Sequence, residues 1–273
     1  MEPQSRGVLY PARLPRFTRL APAPELAGLV VHYWIPEWDI APGRTSRQQV
    51  LPYPAANLVV EDGRVVLHGP GTVRSHRDLV GRGWAVGAML RPAAVPALVP
   101  DISAILDGEH EIHDPSLVAV VTALMDGTSH DRLARAAHAL GEALRVRAGD
   151  PDPEAQLANR LAEVIGDDAE VLRLSDVAAR LGVSERTVTR LARRYVGVTP
   201  AAMIRRRRLQ EAAERLRQAP GTSLSELAAE LGYADQAHLS REFRAVLDFT
   251  PSGYRRVNQT DAATVQPRPH PDL

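Results

Sequence analysis

The chain has 273 residues, no cysteine, and 33 basic residues balanced by 33 acidic ones. That length can bury two cores, and the missing cysteines exclude disulfides, thiolate metal sites and cysteine redox chemistry. The neutral total conceals a division: between Val171 and Arg256 there are 16 Arg against nine acidic residues, so this stretch has the charge that draws a protein to phosphate and the remainder is acidic. All 33 basic residues are Arg. Arg suits bidentate contacts to guanine and phosphate, but the bias runs through the acidic part too and is attributed to a GC-rich genome.

The first predicted elements are strands. Short β-prone segments, Leu29–Trp34, Asn57–Val60, Arg64–His68 and Trp84–Leu90, lie between Gly and Pro punctuation, with Glu61-Asp62-Gly63 as a hairpin turn. Residues 8–91 therefore read as a small antiparallel sheet or barrel. From Pro92 to Leu106 the pattern turns to short helices. His130–Val146 is an amphipathic helix with Leu133, Ala137, Leu140 and Leu144 on one side. That stripe suits either packing on its own sheet or pairing with a second copy. Residues 149–153 (GDPDP) form a linker, and the tail 257–273 is too poor in apolar residues to fold. The longest apolar stretch, Leu26–Ile35, is too short to span a bilayer, and MEPQSRGVLY has no basic-then-apolar signal. A cytoplasmic protein without membrane contact is expected.

The second half contains a repeat. Residues 174–200 and 224–251 follow one pattern, offset by about 50 positions: a short helix with apolar positions at helical spacing (Leu174, Val177, Ala178, Leu181; Leu224, Leu227, Ala228, Leu231), a Gly (Gly182, Gly232), then an Arg-bearing helix. A helix that stops at a left-handed Gly and restarts a few residues later is the sequence form of helix-turn-helix. Ser184 is placed to cap the second helix of the first unit, and Ser223 with Glu226 has capping-box spacing. In the second unit Leu239, Phe243 and Val246 read as core. Between the units, Pro200 to Gln218 reads as one helix with Ile204, Leu209, Ala212, Ala213 and Leu216 on its apolar stripe. Such a strut is about 28 Å long and can hold two recognition helices about one turn of B-DNA, ~34 Å, apart.

The two units, each closing on Thr-Pro (Thr199-Pro200, Thr250-Pro251), with RRRRLQEAAERL between them and GYADQAHLSREF followed by TPSGYRR, resemble the DNA-binding domain of the AraC/XylS family of bacterial transcription regulators. Two positions depart from that pattern: Ala192 stands where an aromatic is usual, and Leu247-Asp248 where an aromatic and Gly are usual. LPYPAANLVVEDGRVVLHGP and GWAVGAMLRPAAVPALV are similar to the β-rich, cupin-like sensory domains of one group of these regulators. The resemblance implies an α+β protein of two domains: residues 1–150 for ligand sensing or dimerisation, and 155–256 as an all-α domain with two helix-turn-helix motifs.

It further implies sequence-specific binding to double-stranded promoter DNA by a regulator, activator or repressor, that works with RNA polymerase, answers a small-molecule effector and forms a homodimer. Base contacts fall on Arg186, Thr189 and Arg190, and on Gln236, His238 and Arg241. Phosphate contacts fall on Ser184, Thr187, Arg193, Arg194, Arg205, Arg206 and Arg244, with Arg208 structural. For an effector, Trp38, Tyr53 and Trp84 could line a barrel mouth suited to a planar or apolar molecule. His110-Glu111-Ile112-His113 has loose metal spacing but no cupin ligand set, and reads as a surface turn. No metal, cofactor or enzymatic activity is expected. Two alternatives remain: an N-terminal domain that only dimerises, or one with a metal-dependent or enzymatic activity.

Overall fold

The computed structural model describes residues 16–50, 54–73, 75–219, 221–247 and 249–256. Tyr53, Asp248 and the 257–273 tail lie outside them. The first half is β-rich. Its strands are β1 (Arg16–Leu20), β2 (Val30–Asp39), β3 (Ser46–Val50), β4 (Asn57–Glu61), β5 (Arg64–His68), β6 (Ser75–Leu79), β7 (Arg82–Leu90) and β8 (Glu109–Ile112). Six form an antiparallel sheet in the order β1-β2-β7-β4-β5-β8, and β3 pairs with β6 as a separate two-stranded sheet.

The hairpin expected at Glu61-Asp62-Gly63 is present. Glu61 pairs with Arg64, and Asp62 and Gly63 both take positive φ, 48° and 75°, the backbone of a tight type I′ turn. His110 lies in the edge strand β8, with His113 just past it, rather than in a turn. Among the described residues no group of His, Asp and Glu is placed to hold a metal.

Helices α1 (Pro115–Asp126) and α2 (Arg132–Ala148) cover one face of the six-stranded sheet. Leu58, Val60, Val65, Leu67, Val86 and Ala88 project toward them and share one core with Val121, Leu140 and Leu144. The α2 stripe is thus consumed by its own sheet: Ala137, Leu140 and Leu144 are buried there. Pairing of two chains through that stripe is ruled out in this fold. On the opposite face Glu61, 2% exposed, receives His68 Nε2 at 3.1 Å and Arg77 Nη1 at 2.8 Å. Arg77 belongs to β6, so this ion pair ties the small sheet to the large one. Burial pushes the Glu61 carboxyl up, but the His68 hydrogen bond and the Arg77 charge outweigh it and leave it below the usual carboxylate range.

The second half is helical: α3 (Pro153–Asp167), α4 (Leu174–Leu181), α5 (Glu185–Leu191), α6 (Pro200–Gln218), α7 (Leu224–Glu230) and α8 (Gln236–Leu247), with a wide π turn at Ala192–Val196 after α5. Two cores organise it. Leu161, Ile165, Val177, Val188, Leu191 and Tyr195 pack with Met203 and Ile204 of α6. Leu227, Leu239, Phe243 and Tyr254 pack with Leu209, Ala212, Ala213 and Leu216 of the same helix. One 19-residue helix is therefore part of both cores. No described helix is long and apolar enough to cross a membrane.

Candidate nucleic-acid interface

Each helix-turn-helix unit is built by its turn. Gly182 and Gly232 sit at φ 67° and 70°, the left-handed conformation that costs a Cβ-bearing residue most. In the first unit Asp176 Oδ2 accepts from the Leu172 and Arg173 amides, at 2.9 and 2.8 Å, and so fixes the start of α4. Ser184 Oγ accepts from the Thr187 amide at 3.2 Å and caps α5. In the second unit Ser223 Oγ accepts from the Glu226 amide at 3.4 Å, and no return bond from Glu226 is found among the described residues. Asp235, not singled out from the sequence, accepts from the His238 amide at 2.6 Å and starts α8. Val246 is only partly buried; Leu247 completes the apolar face with Leu239 and Phe243.

Arg186, Arg193, Gln236, Arg241 and Arg244 are exposed. Thr189 is partly buried, its hydroxyl donating to the Glu185 carbonyl at 2.9 Å. Arg190 and Arg194 are exposed but already paired, both with Glu154 of α3. Ser184 and Thr187 hydroxyls lie 3.0 Å apart at the start of α5. His238 stands edge-on to the Tyr233 ring, centroids 5.3 Å apart, and 3.6 Å from Glu242. It is less free than its position on α8 suggested.

The four consecutive arginines of α6 separate into different tasks. Arg205 is half-exposed and 3.8 Å from Glu242. Arg206 is 7% exposed, so it cannot reach phosphate in this conformation; burial lowers its pKa while Asp107 of the sheet half opposes the shift. Arg207 donates to the Val171 carbonyl at 2.8 Å and braces the loop before α4. Arg208 lies over the Tyr233 ring, 3.9 Å from its centroid, the structural position expected of it.

Helix α3 joins the two halves. Buried Asn159 accepts from the Ala93 amide at 2.9 Å and donates to the Gly28 carbonyl at 2.8 Å, Glu163 pairs with Arg91, and Gly197 lies against Ile102. Between the halves a cavity of about 540 Å³ remains, with Val31, Leu90 and Val95 on one side and Ile165, Met203 and Ala213 on the other. Trp38 and Trp84 line a second, more open cleft of about 1020 Å³ with Glu37, Asp39, Arg82 and Arg132. Trp38 is fixed there, its indole donating to the Val80 carbonyl at 3.2 Å and lying where Gly83 offers no side chain.

Two tandem helix-turn-helix units on a common helix, each presenting arginines, have the architecture of a domain that reads duplex DNA. Residues 177–257 match the family described as helix-turn-helix domain, and residues 18–109 match a domain of unknown function (DUF6597). The chain is 40% identical over 85 residues to the TetD protein of transposon Tn10 from Escherichia coli, covering 31% of this chain and 61% of TetD. It is 30% identical over 118 residues to the transcriptional activator RhaS of Escherichia fergusonii, covering 43% of this chain and 41% of RhaS. To the transcriptional activator AarP of Providencia stuartii it is 32% identical over 95 residues, covering 35% of this chain and 70% of AarP. The matches thus span about two fifths of RhaS and three fifths of TetD. The chain belongs to the AraC family of transcription regulators.

Proposed function

We propose that this protein is an effector-responsive, sequence-specific regulator of transcription that places α5 and α8 in successive major grooves of promoter DNA. The observation that carries this reading is α6: because Met203 and Ile204 belong to one core and Leu209 to Leu216 to the other, the two units form one rigid reading head. A helix of its 19 residues is about 28 Å long, close to the ~34 Å pitch of B-DNA. Arg186, Thr189 and Arg190 read bases from one groove, and Gln236, His238 and Arg241 from the next. Ser184, Thr187, Arg193, Arg194, Arg205 and Arg244 serve the phosphates.

On this reading residues 155–256 bind DNA and residues 1–150 sense the effector and pair protomers, in the cytoplasm and without enzymatic activity. RNA polymerase is the protein partner at the promoter. Two spaces suit a small molecule. The tryptophan cleft offers ring faces for a planar effector, with Trp38 and Trp84 as its contacts; the junction cavity touches both halves at once. Selection from random duplex DNA with the full-length chain should enrich a bipartite sequence with two elements about one helical turn apart. A single short element, or no enrichment, would refute the two-groove arrangement.

A further inference from the structure

Two arginines of the first recognition segment are already paired within the protein. Glu154, in the first turn of α3, has Oε2 2.8 Å from Arg190 Nη2 and Oε1 2.7 Å from Arg194 Nη1, and Oε1 also accepts from the Tyr195 hydroxyl at 3.3 Å. Both oxygens are engaged, by two cations four residues apart, Arg190 on α5 and Arg194 in the π turn that follows it. The hydrogen bond from Arg190 is the largest of the influences that hold the Glu154 carboxyl below its usual range, so it is charged at neutral pH. The second unit is built otherwise. No described carboxylate pairs with Arg241 or Arg244, and its nearby acid, Glu242, faces Arg205 and His238 instead.

We propose that Glu154 is an affinity- and specificity-setting residue: it competes with DNA for Arg190 and Arg194, so that the second unit engages first and the first unit binds only where the sequence repays exchanging a carboxylate for guanine and phosphate. The inference rests on the assignment of α5 as a recognition helix. All three side chains are partly solvent-exposed, which keeps such a pairing weak enough to exchange. It also predicts an order of importance: base changes in the element read by α8 weaken binding more than changes in the element read by α5.

The test is fluorescence anisotropy of the full-length protein on a labelled mixed-sequence duplex about four helical turns long, across a salt series. Absent or salt-independent binding by the wild type would overturn the DNA-binding reading itself. Given salt-dependent wild-type binding, Glu154→Gln should bind about three- to tenfold more tightly, and the slope of log K against log salt should steepen by roughly one as a freed guanidinium meets phosphate. Glu163→Gln removes the same charge from the opposite side of α3, where it faces Arg91, and should stay within about twofold of wild type, a change too small to mimic release of two arginines. Glu154→Asp keeps the charge but shortens the arm, so it should fall between wild type and Gln, and it carries the test if the Gln variant melts early. Binding by both Glu154 variants no tighter than wild type, or an equal gain from Glu163→Gln, would overturn the role given to Glu154.

Discussion

On the proposed reading, individual arginines divide into those that meet DNA and those that hold the protein together, and their substitutions should separate accordingly. Arg190→Ala or Arg241→Ala should cost about 1–3 kcal/mol of specific binding and relax preference at one or two base pairs, measured by titrating a selected duplex and its point variants. Arg205→Ala should flatten the salt dependence by roughly one unit of slope. Arg206→Ala should leave that slope unchanged and lower the melting temperature instead, because its side chain is buried at the contact with the sheet half. The sequence separated Arg208 from its neighbours but not Arg206. The charge that opposes the burial of Arg206, Asp107 of the sheet half, lies almost a hundred positions away, and no local pattern announces it. His32 shows a related effect in the sheet. Burial, then the Arg19 charge, lower its pKa from 6.5 to about 4, so between these values the unfolded chain binds more protons than the folded one. Stability should fall as pH drops from about 6.5 toward 4, by at most ~3 kcal/mol; His32→Gln should flatten that part of a denaturation series taken against pH.

Secondary-structure elements with strong periodicity were legible and those without it were not. The α4, α5, α7 and α8 helices stand where apolar spacing and turn glycines put them, and all five residues expected on the α6 stripe are buried. By contrast β6 (SHRDL) and β8 (EHEI) are almost wholly exposed. Such strands bury one residue or none, so no apolar alternation marks them; backbone pairing with β3 and β5 makes them strands. Helix α3 was hidden for a different reason: Asp152-Pro153, read as linker, is its N-cap and first residue, with Asp152 accepting from the Ala155 amide at 2.8 Å. The α6 helix offers the sharpest test at this level. Inserting one Ala after Arg207, between the residues that serve the first core and those that serve the second, turns everything beyond it by about 100° and advances it by ~1.5 Å. The expected result is loss of binding to the bipartite site with circular dichroism still fully helical, whereas retained affinity would mean that the two units adjust independently.

The assembled chain depends on a narrow seam between sheet and helices. Asn159→Ala would leave the Ala93 amide and the Gly28 carbonyl without their partner, a loss of about 1–3 kcal/mol, and calorimetry should show one transition in the wild type broaden or divide in the variant. On the proposed reading, light scattering of the full-length protein should return a homodimer, with the contact away from the buried α2 stripe. Leu140→Arg should consequently unfold the sheet half rather than release monomers, since that side chain is wholly buried and an unpaired cation there is not tolerated. Finally, on the proposed two-groove reading, a helix anchored in two cores makes the protein a gauge of the spacing between its two DNA elements. Where a flexible tether joins two DNA-binding modules, adding a full helical turn of spacer, about 10.5 base pairs, returns both sites to the same side of the duplex and restores binding. Here a restored phase would not help, because α6 cannot lengthen to follow it: five added base pairs and ten should be equally damaging, and the promoters this protein controls would be recognisable by a spacing between their two elements that admits no insertions at all.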